Sequence, residues 1–382
     1  DIGGTPYKPL IPGDSNPGVI KMSFGGVARN IAHNLTLLGV DVELVTAAGD
    51  DTLGMEMLKK CESIGLDTSL SVMVPGGSSS VYLFINDEKG EMELALSHVD
   101  IVKQITPEYL ESVSDVINSA VAVIADCTLS QESLLKLKEI CKVPLYVDTV
   151  SVSHADKIKG HLDGIDTLKP NLLEAEFLSD MIIENEDDCL VAARTLVDQG
   201  VRRVFISMGP HGMIAADKDH AIMVDRYPVT VKSTTGAGDS AMAAIVWSTL
   251  NEEGDGLTEP AMAANAAASA TISVDPTIHP GMSVDLIKNK IKECGYDIEE
   301  VTLNVSSRPE FGDYQFNGAM GMAKQFGKNP VSIATEIVEA IKKDNNFLNE
   351  SKGDIDLTYK YNTENLTRVM DGTGIVTKMF VR

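Results

Sequence analysis

The sequence predicts an α/β protein: a central, mostly parallel sheet flanked by helices, a small β lid, and an extra α-rich segment at the carboxyl end. Three observations carry that reading. From residue 121 onward the apolar runs "VAVIAD", "PLYVD", "DTLKPN" and "RRVFISMG" alternate with helices of ordinary length, which implies parallel strands covered on both faces. Between residues 68 and 100, "TSLSVMV", "SVYLFIND" and "MELALSHV" are short β-rich runs broken by "PGG" and "EKG", the pattern of a lid set apart from the main sheet. The third is "STTGAGDS", which sets two glycines and an acid at the mouth of a long apolar helix.

Taken in order, the chain opens in turn chemistry, with Gly3, Gly4, Pro6 and Pro12 and no apolar strand expected before or among them. Residues 25 to 38 predict a helix, with Ile31, Leu35 and Leu38 at helical spacing and Gly39 as its stop. "VELVTAAG" follows as a buried strand and "DDTLGMEMLKKCESIG" as a second helix. The carboxyl ends of the later strands read Asp126, Asp148, Asn171 and Gly209, and a parallel sheet gathers its ligands at those ends. Near residue 295 the alternation stops, dividing the chain into 1–295 and 296–382. Within the second part, "RPEFGDYQFNGAMGMAKQFGKNPVSIATEIVEAIKKD" predicts two helices, the first closed by Gly327, the second capped by Asn329 with Pro330 in its first position.

Composition narrows the function classes. A net charge of -24 over 382 residues argues against a general nucleic-acid surface, because phosphate backbones are held by lysine and arginine. The five cysteines are scattered and form no C-x-x-C pair, so neither a disulfide framework nor a structural zinc site is indicated, and a reducing cytoplasm is the expected location. No run of 18 apolar residues and no signal peptide can be read, and no membrane association is expected.

Three constellations carry chemistry. Gly236 and Gly238 let the amides of residues 236 to 239 converge at a helix mouth, where unpaired N–H groups and the dipole favour an anion; Asp239 beside them is placed to take a proton from an attacking hydroxyl. Thr234 or Thr235 capping the helix, with Asp239 answering its dipole, is the alternative. In "FGGVARNIAHN", Gly25 and Gly26 allow a flat ligand close to the backbone, and Asn30 one turn on can bond a diol; Arg29 reads equally well as an ordinary surface charge. In "LKPNLLEAE", Asn171 and Glu174 share a helical face and suit Mg²⁺-bound water near phosphates, the alternative being a capping box. "ISMGPHG" suits a loop under a nucleotide, with His211 facing solvent.

"GGVARNIAHNLTLLG", "GDD" with Gly54, "KPNLLEAE", "SMGPHG" and "STTGAGDS" resemble, in order and spacing, the ribokinase-like (PfkB) carbohydrate and nucleoside kinases, over residues 1 to about 290. "DSNPG", "VIADC", "VDTVS" and "TLKPN" place the resemblance nearest the branch that acts on pseudouridine. The resemblance implies ATP, Mg²⁺ and transfer of the γ-phosphate to a sugar hydroxymethyl group. It implies Asp239 as base, with Gly236, Ala237 and Gly238 as the anion hole. It further implies Asp1, Gly25, Gly26, Asn30 and Asp126 at the nucleoside, Asn171 and Glu174 at Mg²⁺-ATP with Glu174 reaching the metal through water, and Ser207, Gly209, Gly212 and Asn265 along the nucleotide. Many relatives carry aspartate where Ser233 stands, near a monovalent-cation site, which leaves K⁺ dependence open. The family opens with a buried strand delivering the aspartate matched by Asp1, a strand this sequence is expected to lack; a homodimer through the lid is a further expectation.

"FGDYQFNGAMGMAKQFGKNPVSIATEIVEAI" is similar to the amino-terminal tRNA-contacting domain of arginyl-tRNA synthetase. From Tyr296 onward ten Lys/Arg face thirteen Asp/Glu, a balance near -3. Lys324 and Lys328 share a face, and Lys342 and Lys343 fall at a helix end, so tRNA binding is expected to be no tighter than the nonspecific range of about 10⁻⁴–10⁻⁶ M. A non-catalytic binding protein that uses this segment to dock RNA or protein is the alternative reading of the whole chain.

Overall fold

Fully apolar runs fold as the centre of a parallel sheet because every side chain on both faces must leave water. The computed structural model describes residues 1–89, 92–251, 256–293, 303–305, 314–316 and 375–376. It divides into two units, Asp1–Lys290 and Ile291–Arg382.

The chain begins with β1 (Ile2–Pro6), β2 (Gly18–Met22), α1 (Val27–Leu37), β3 (Ala47–Gly49), α2 (Thr52–Ser63), β4 (Val72–Val74), β5 (Val81–Asn86) and β6 (Met92–His98). Next come α3 (Pro107–Ser112), α4 (Ser114–Ser119), β7 (Val123–Asp126), α5 (Gln131–Ile140), β8 (Leu145–Asp148), α6 (Val152–Ala155), β9 (Thr167–Lys169), α7 (Leu172–Ser179), α8 (Glu186–Asp198) and β10 (Arg203–Ser207). A hairpin of β11 (Met213–Asp217) and β12 (Ala221–Val224) leads to three helices, α9 (Ala237–Asn251), α10 (Thr258–Ile272) and α11 (Val284–Glu293).

The main sheet runs β12-β11-β10-β9-β8-β7, with β7 to β10 parallel and the last hairpin antiparallel. Leu145, Val147, Leu168, Val204 and Ile206 form its buried centre together with Leu134 and Leu137 of α5 and Ala192, Ala193 and Leu196 of α8. Register places Asp126 beside Asp148 and Asp148 beside Lys169. Three charged residues therefore form one row across the carboxyl ends of β7, β8 and β9.

A second sheet, ordered β2-β1-β5-β6, is the lid. Its membership differs from expectation. The opening turn-like stretch supplies β1, where Gly3 lies so close to the Phe84 ring that a Cβ there would sit 2.3 Å from it and the ring would have to shift. "TSLSVMV" supplies β4, which leaves the lid to pair in parallel with β3. Pairing aligns Met22, Ile2, Leu83 and Leu96 in one row and Ile20, Gly4, Ile85 and Leu94 in the next, so both rows share one face. Along those rows Ile20 is 77%, Leu96 63% and Leu94 54% exposed.

In the second unit, Leu303–Val305, Tyr314–Phe316 and Ile375–Val376 (β13, β14, β15) pair antiparallel. The two helices expected around Gly327 to Pro330, with Lys324, Lys328, Lys342 and Lys343, lie outside the described residues.

At the opposite, amino ends of the main-sheet strands, β9 and β10 are tied where they start. Arg203, 1% exposed, donates to Asp166 at 3.0 Å and to the Tyr146 hydroxyl at 3.1 Å, while Arg202 donates to the other Asp166 oxygen at 2.6 Å. Asp166→Ala strands a buried guanidinium and is expected to lower stability by about 3–5 kcal/mol in urea unfolding. Arg203→Met leaves Asp166 with Arg202 and is expected to cost less; equal losses would contradict this account.

Candidate active site

α9 starts at Ala237 because Gly236 takes φ +84, with its Cα so close to Thr277 that an added Cβ would lie 2.0 Å from the carbonyl oxygen. That conformation turns the chain straight into the helix, and Ser240 N–H closes the first turn onto the Gly236 carbonyl at 2.9 Å. Asp239 is thereby carried inward, in the first turn, to face the end of the sheet. Its Oδ2 accepts a 2.7 Å hydrogen bond from Asn30 Nδ2 on α1. Burial first, then the Asp148 charge, push the Asp239 carboxyl up to about 7, against the pull of Asn30 and Lys169.

Lys169 is the residue that sequence reasoning missed. It ends β9 at 5% side-chain exposure, with Nζ 3.1 Å from Asp148 Oδ2. Burial alone would lower its pKa, but Asp148, with Glu174 and Asp239 behind it, more than offsets this and raises it. The ammonium also lies 3.4 Å from where a Gly238 Cβ would stand, so a fixed positive charge flanks the glycine turn. All three residues of β9 are buried, a fact of the assembled sheet that the local sequence around Lys169 does not announce.

The remaining residues assemble in two groups. At the lid side, the Asp1 carboxylate lies against Gly25, where an added Cβ would be 2.4 Å from Oδ2, and Gly26 takes φ +95 to start α1. Asp126 spends Oδ2 on Ala28 N–H at 2.9 Å and Oδ1 on Thr128 N–H at 2.8 Å, so it anchors the first turn of α1. Arg29, which read equally as a surface charge, is 7% exposed, its guanidinium turned inward. On the other side, Asn171 caps α7 in a complete capping box with Glu174. Glu174, 4% exposed, accepts from Asn171 N–H at 2.8 Å, Asn171 Nδ2 at 2.7 Å and the Thr149 hydroxyl at 2.5 Å. Asn171 bridges to Ser207, whose N–H donates to the Pro170 carbonyl at 3.0 Å.

Beyond Ser207, Gly209 and Gly212 take positive φ, and a Cβ on Gly212 would meet the Val224 carbonyl at 2.1 Å. Asn265 Nδ2, from α10, donates to that carbonyl at 3.0 Å and to the Asp225 carbonyl at 3.1 Å. Gly212 and Asn265 thus converge on one bend of backbone, and His211 stays exposed.

Among the described residues no cluster of three or more His, Cys, Asp and Glu could cage a metal. One buried carboxylate whose oxygens are held only by neutral donors suits a hard cation that keeps its waters and takes its other ligands from phosphate. Also among the described residues, no helix is long and apolar enough to cross a membrane.

Residues 7–283 match the model of the pfkB family carbohydrate kinases. The chain belongs to that family. It is a sugar or nucleoside kinase, a phosphotransferase with an alcohol group as acceptor. This pfkB-family kinase is 35% identical over 288 residues to a pseudouridine kinase of Escherichia coli (strain K12), covering 74% of this chain and 91% of the relative. It is 36% identical over 273 residues to the uncharacterized sugar kinase YeiI of the same strain, covering 71% and 75%. A sugar kinase crystal structure from Clostridium perfringens superposes with a TM-score of 0.68 at 30% identity, covering 76% and 92%. Residues 284–351 match the arginyl tRNA synthetase N terminal domain.

The environment of Asp239 gives its charge a sign in stability. Its folded pKa, about 7, lies above the ordinary carboxyl value of 3.8, so the group's contribution falls as pH rises from the lower value through the upper one. Asp239→Asn removes the half-buried charge. The variant is expected to melt above the parent once the pH exceeds 7, with the gap closing in acid; a gap independent of pH would refute the assignment.

Proposed function

We propose that this kinase phosphorylates the 5′-hydroxyl of pseudouridine with ATP, giving pseudouridine 5′-phosphate and ADP. The observation that carries the chemistry is Asp239: a carboxyl in the first turn of α9, behind a glycine turn, with a pKa of about 7. A base titrating near neutral pH is half ionised where it works and strong enough to accept a hydroxyl proton. The likeness to the pseudouridine kinase of Escherichia coli supports the substrate.

In this reading the attacking oxygen gives its proton to Asp239 as it bonds to phosphorus, and the bond to the ADP oxygen breaks. Gly236, Ala237 and Gly238 direct backbone N–H groups at the transferring phosphoryl oxygens, and Lys169 beside Gly238 adds positive charge. Asp1 and Asn30 hold the ribose hydroxyls over Gly25 and Gly26; Asp126 acts on the nucleoside through the first turn of α1, which it anchors. Asn171 and Glu174 orient the phosphate end of Mg²⁺-ATP, Glu174 through water. When bound, Mg²⁺ supplies charge neutralisation at the phosphate oxygens. Ser207, Gly209, Gly212 and Asn265 line the nucleotide, Asn265 by fixing the Val224–Asp225 bend. With Ser233 in place of a carboxylate, no K⁺ requirement is proposed.

The exposed apolar rows of the lid support a homodimer through that face, since they form a contiguous patch on one side of one sheet. The second unit, near neutral in charge, is proposed to bind tRNA weakly at most.

ADP production over pseudouridine, uridine, adenosine, ribose and fructose 6-phosphate tests the substrate: pseudouridine is expected to give the highest kcat/KM, and turnover of a sugar phosphate with none of pseudouridine would overturn it. Asp239→Asn is expected to keep ATP affinity while losing about 10²–10⁴-fold in kcat; a variant that retains a large share of kcat would remove Asp239 as base. For the lid, sedimentation is expected to show a dimer that Ile20→Asp with Leu94→Asp converts to monomer, and a monomeric parent would exclude this contact.

A further inference from the structure

We propose that Arg29 is a positioning residue for phosphoryl transfer: it fixes the sense of the Asn30 amide and, through that amide, holds the Asp239 carboxylate in its working orientation. The inference rests on Asp239 being the base. Arg29 Nε donates to the Gly25 carbonyl at 2.7 Å, and Nη2 donates to the Phe24 carbonyl and to Asn30 Oδ1. All three acceptors are neutral oxygens, an unusual environment for a side chain that is 7% exposed. Asn30, 4% exposed, in turn donates through Nδ2 to Asp239 at 2.7 Å.

The sense of this chain follows from the donors alone. A guanidinium has no acceptor, so the amide atom facing it must be the carbonyl oxygen, and the NH₂ is left to face Asp239. Turning the amide over would set NH₂ against the guanidinium and a carbonyl oxygen against the carboxylate, making both contacts repulsive. Arg29 thus passes its charge to Asp239 through a polarised amide, and its two backbone bonds fix the glycine turn from which α1 starts.

The other groups around these two are accounted for. Asp239 faces Asp126 from β7, Asp148 from β8 and Lys169 from β9. Near Arg29 are the Asp1 amine, His33 on the same helix and Cys61 on α2. His33 is pushed down to about 4 and is neutral throughout the working range.

The test is the acid limb of kcat/KM, read in the intact protein. Arg29→Met is expected to move the limb up by about one pH unit, the worth of one hydrogen bond to a charged group. Arg29→Lys, which keeps the charge with a different donor geometry, is expected to move it less and in the same direction. In an Asn30→Ala background Arg29→Lys should not move it and Arg29→Met should move it less than in the parent, because the connecting amide is gone and only the direct charge is left. A limb unmoved by Arg29→Lys and Arg29→Met, with KM alone altered, would overturn the inference while leaving Asp239 as base. If Arg29→Met does not fold, Arg29→Lys decides by itself. A parent with no limb near pH 7 would overturn both.

Discussion

One hydrogen bond, Asn30 to Asp239, joins side chains 209 residues apart in sequence, and the rest of the site is arranged about it. It closes α1 onto α9, two helices whose first turns both follow a glycine of positive φ, Gly26 and Gly236. Each helix is also held at that end by something outside itself: α1 by the Asp126 carboxylate, α9 by the close approach of Thr277 to Gly236. The main sheet supplies Asp126 from the end of β7, so a side chain of the sheet ties the first turn of α1 to the strands.

The electrostatic problem at this place is to keep a carboxylate out of water and still usable. Three carboxylates, Asp126, Asp148 and Asp239, meet two buried cations, Lys169 and Arg29. Asp126 is satisfied by backbone N–H groups and Asp148 by Lys169 and the Val150 N–H, which leaves Asp239 with the weakest compensation. That inequality makes the residue chemically responsive. Strengthening its support would favour a permanently ionised, less basic group, and removing it would leave a neutral acid.

The sheet and the glycine-acid turn were legible in the sequence because each is local: apolar runs announce β7 to β10, and Gly236, Gly238 and Asp239 lie within four residues. Their partners were not. Lys169 in "TLKPN" and Arg29 in "GGVARN" carry no local mark of burial, since lysine and arginine usually stay in water; both are buried because oxygens from other parts of the chain surround them. β1 was hidden for a related reason. Gly3, Gly4 and Pro6 speak for a turn, and only the aromatic ring of Phe84, 81 residues onward, makes a glycine strand useful. The Asn171–Glu174 motif gave two local readings, and the capping box that forms still leaves Glu174 facing the charged row.

β1 runs from Asp1 into the middle of the lid sheet, between β2 and β5. The Asp1 carboxylate at its root is wedged against Gly25 with no room for a side chain there. Strand and carboxylate are thus one continuous piece: Asp1 stands where the central strand of the lid meets the glycine turn that opens α1, so the lid sheet and the row of charged side chains share a corner.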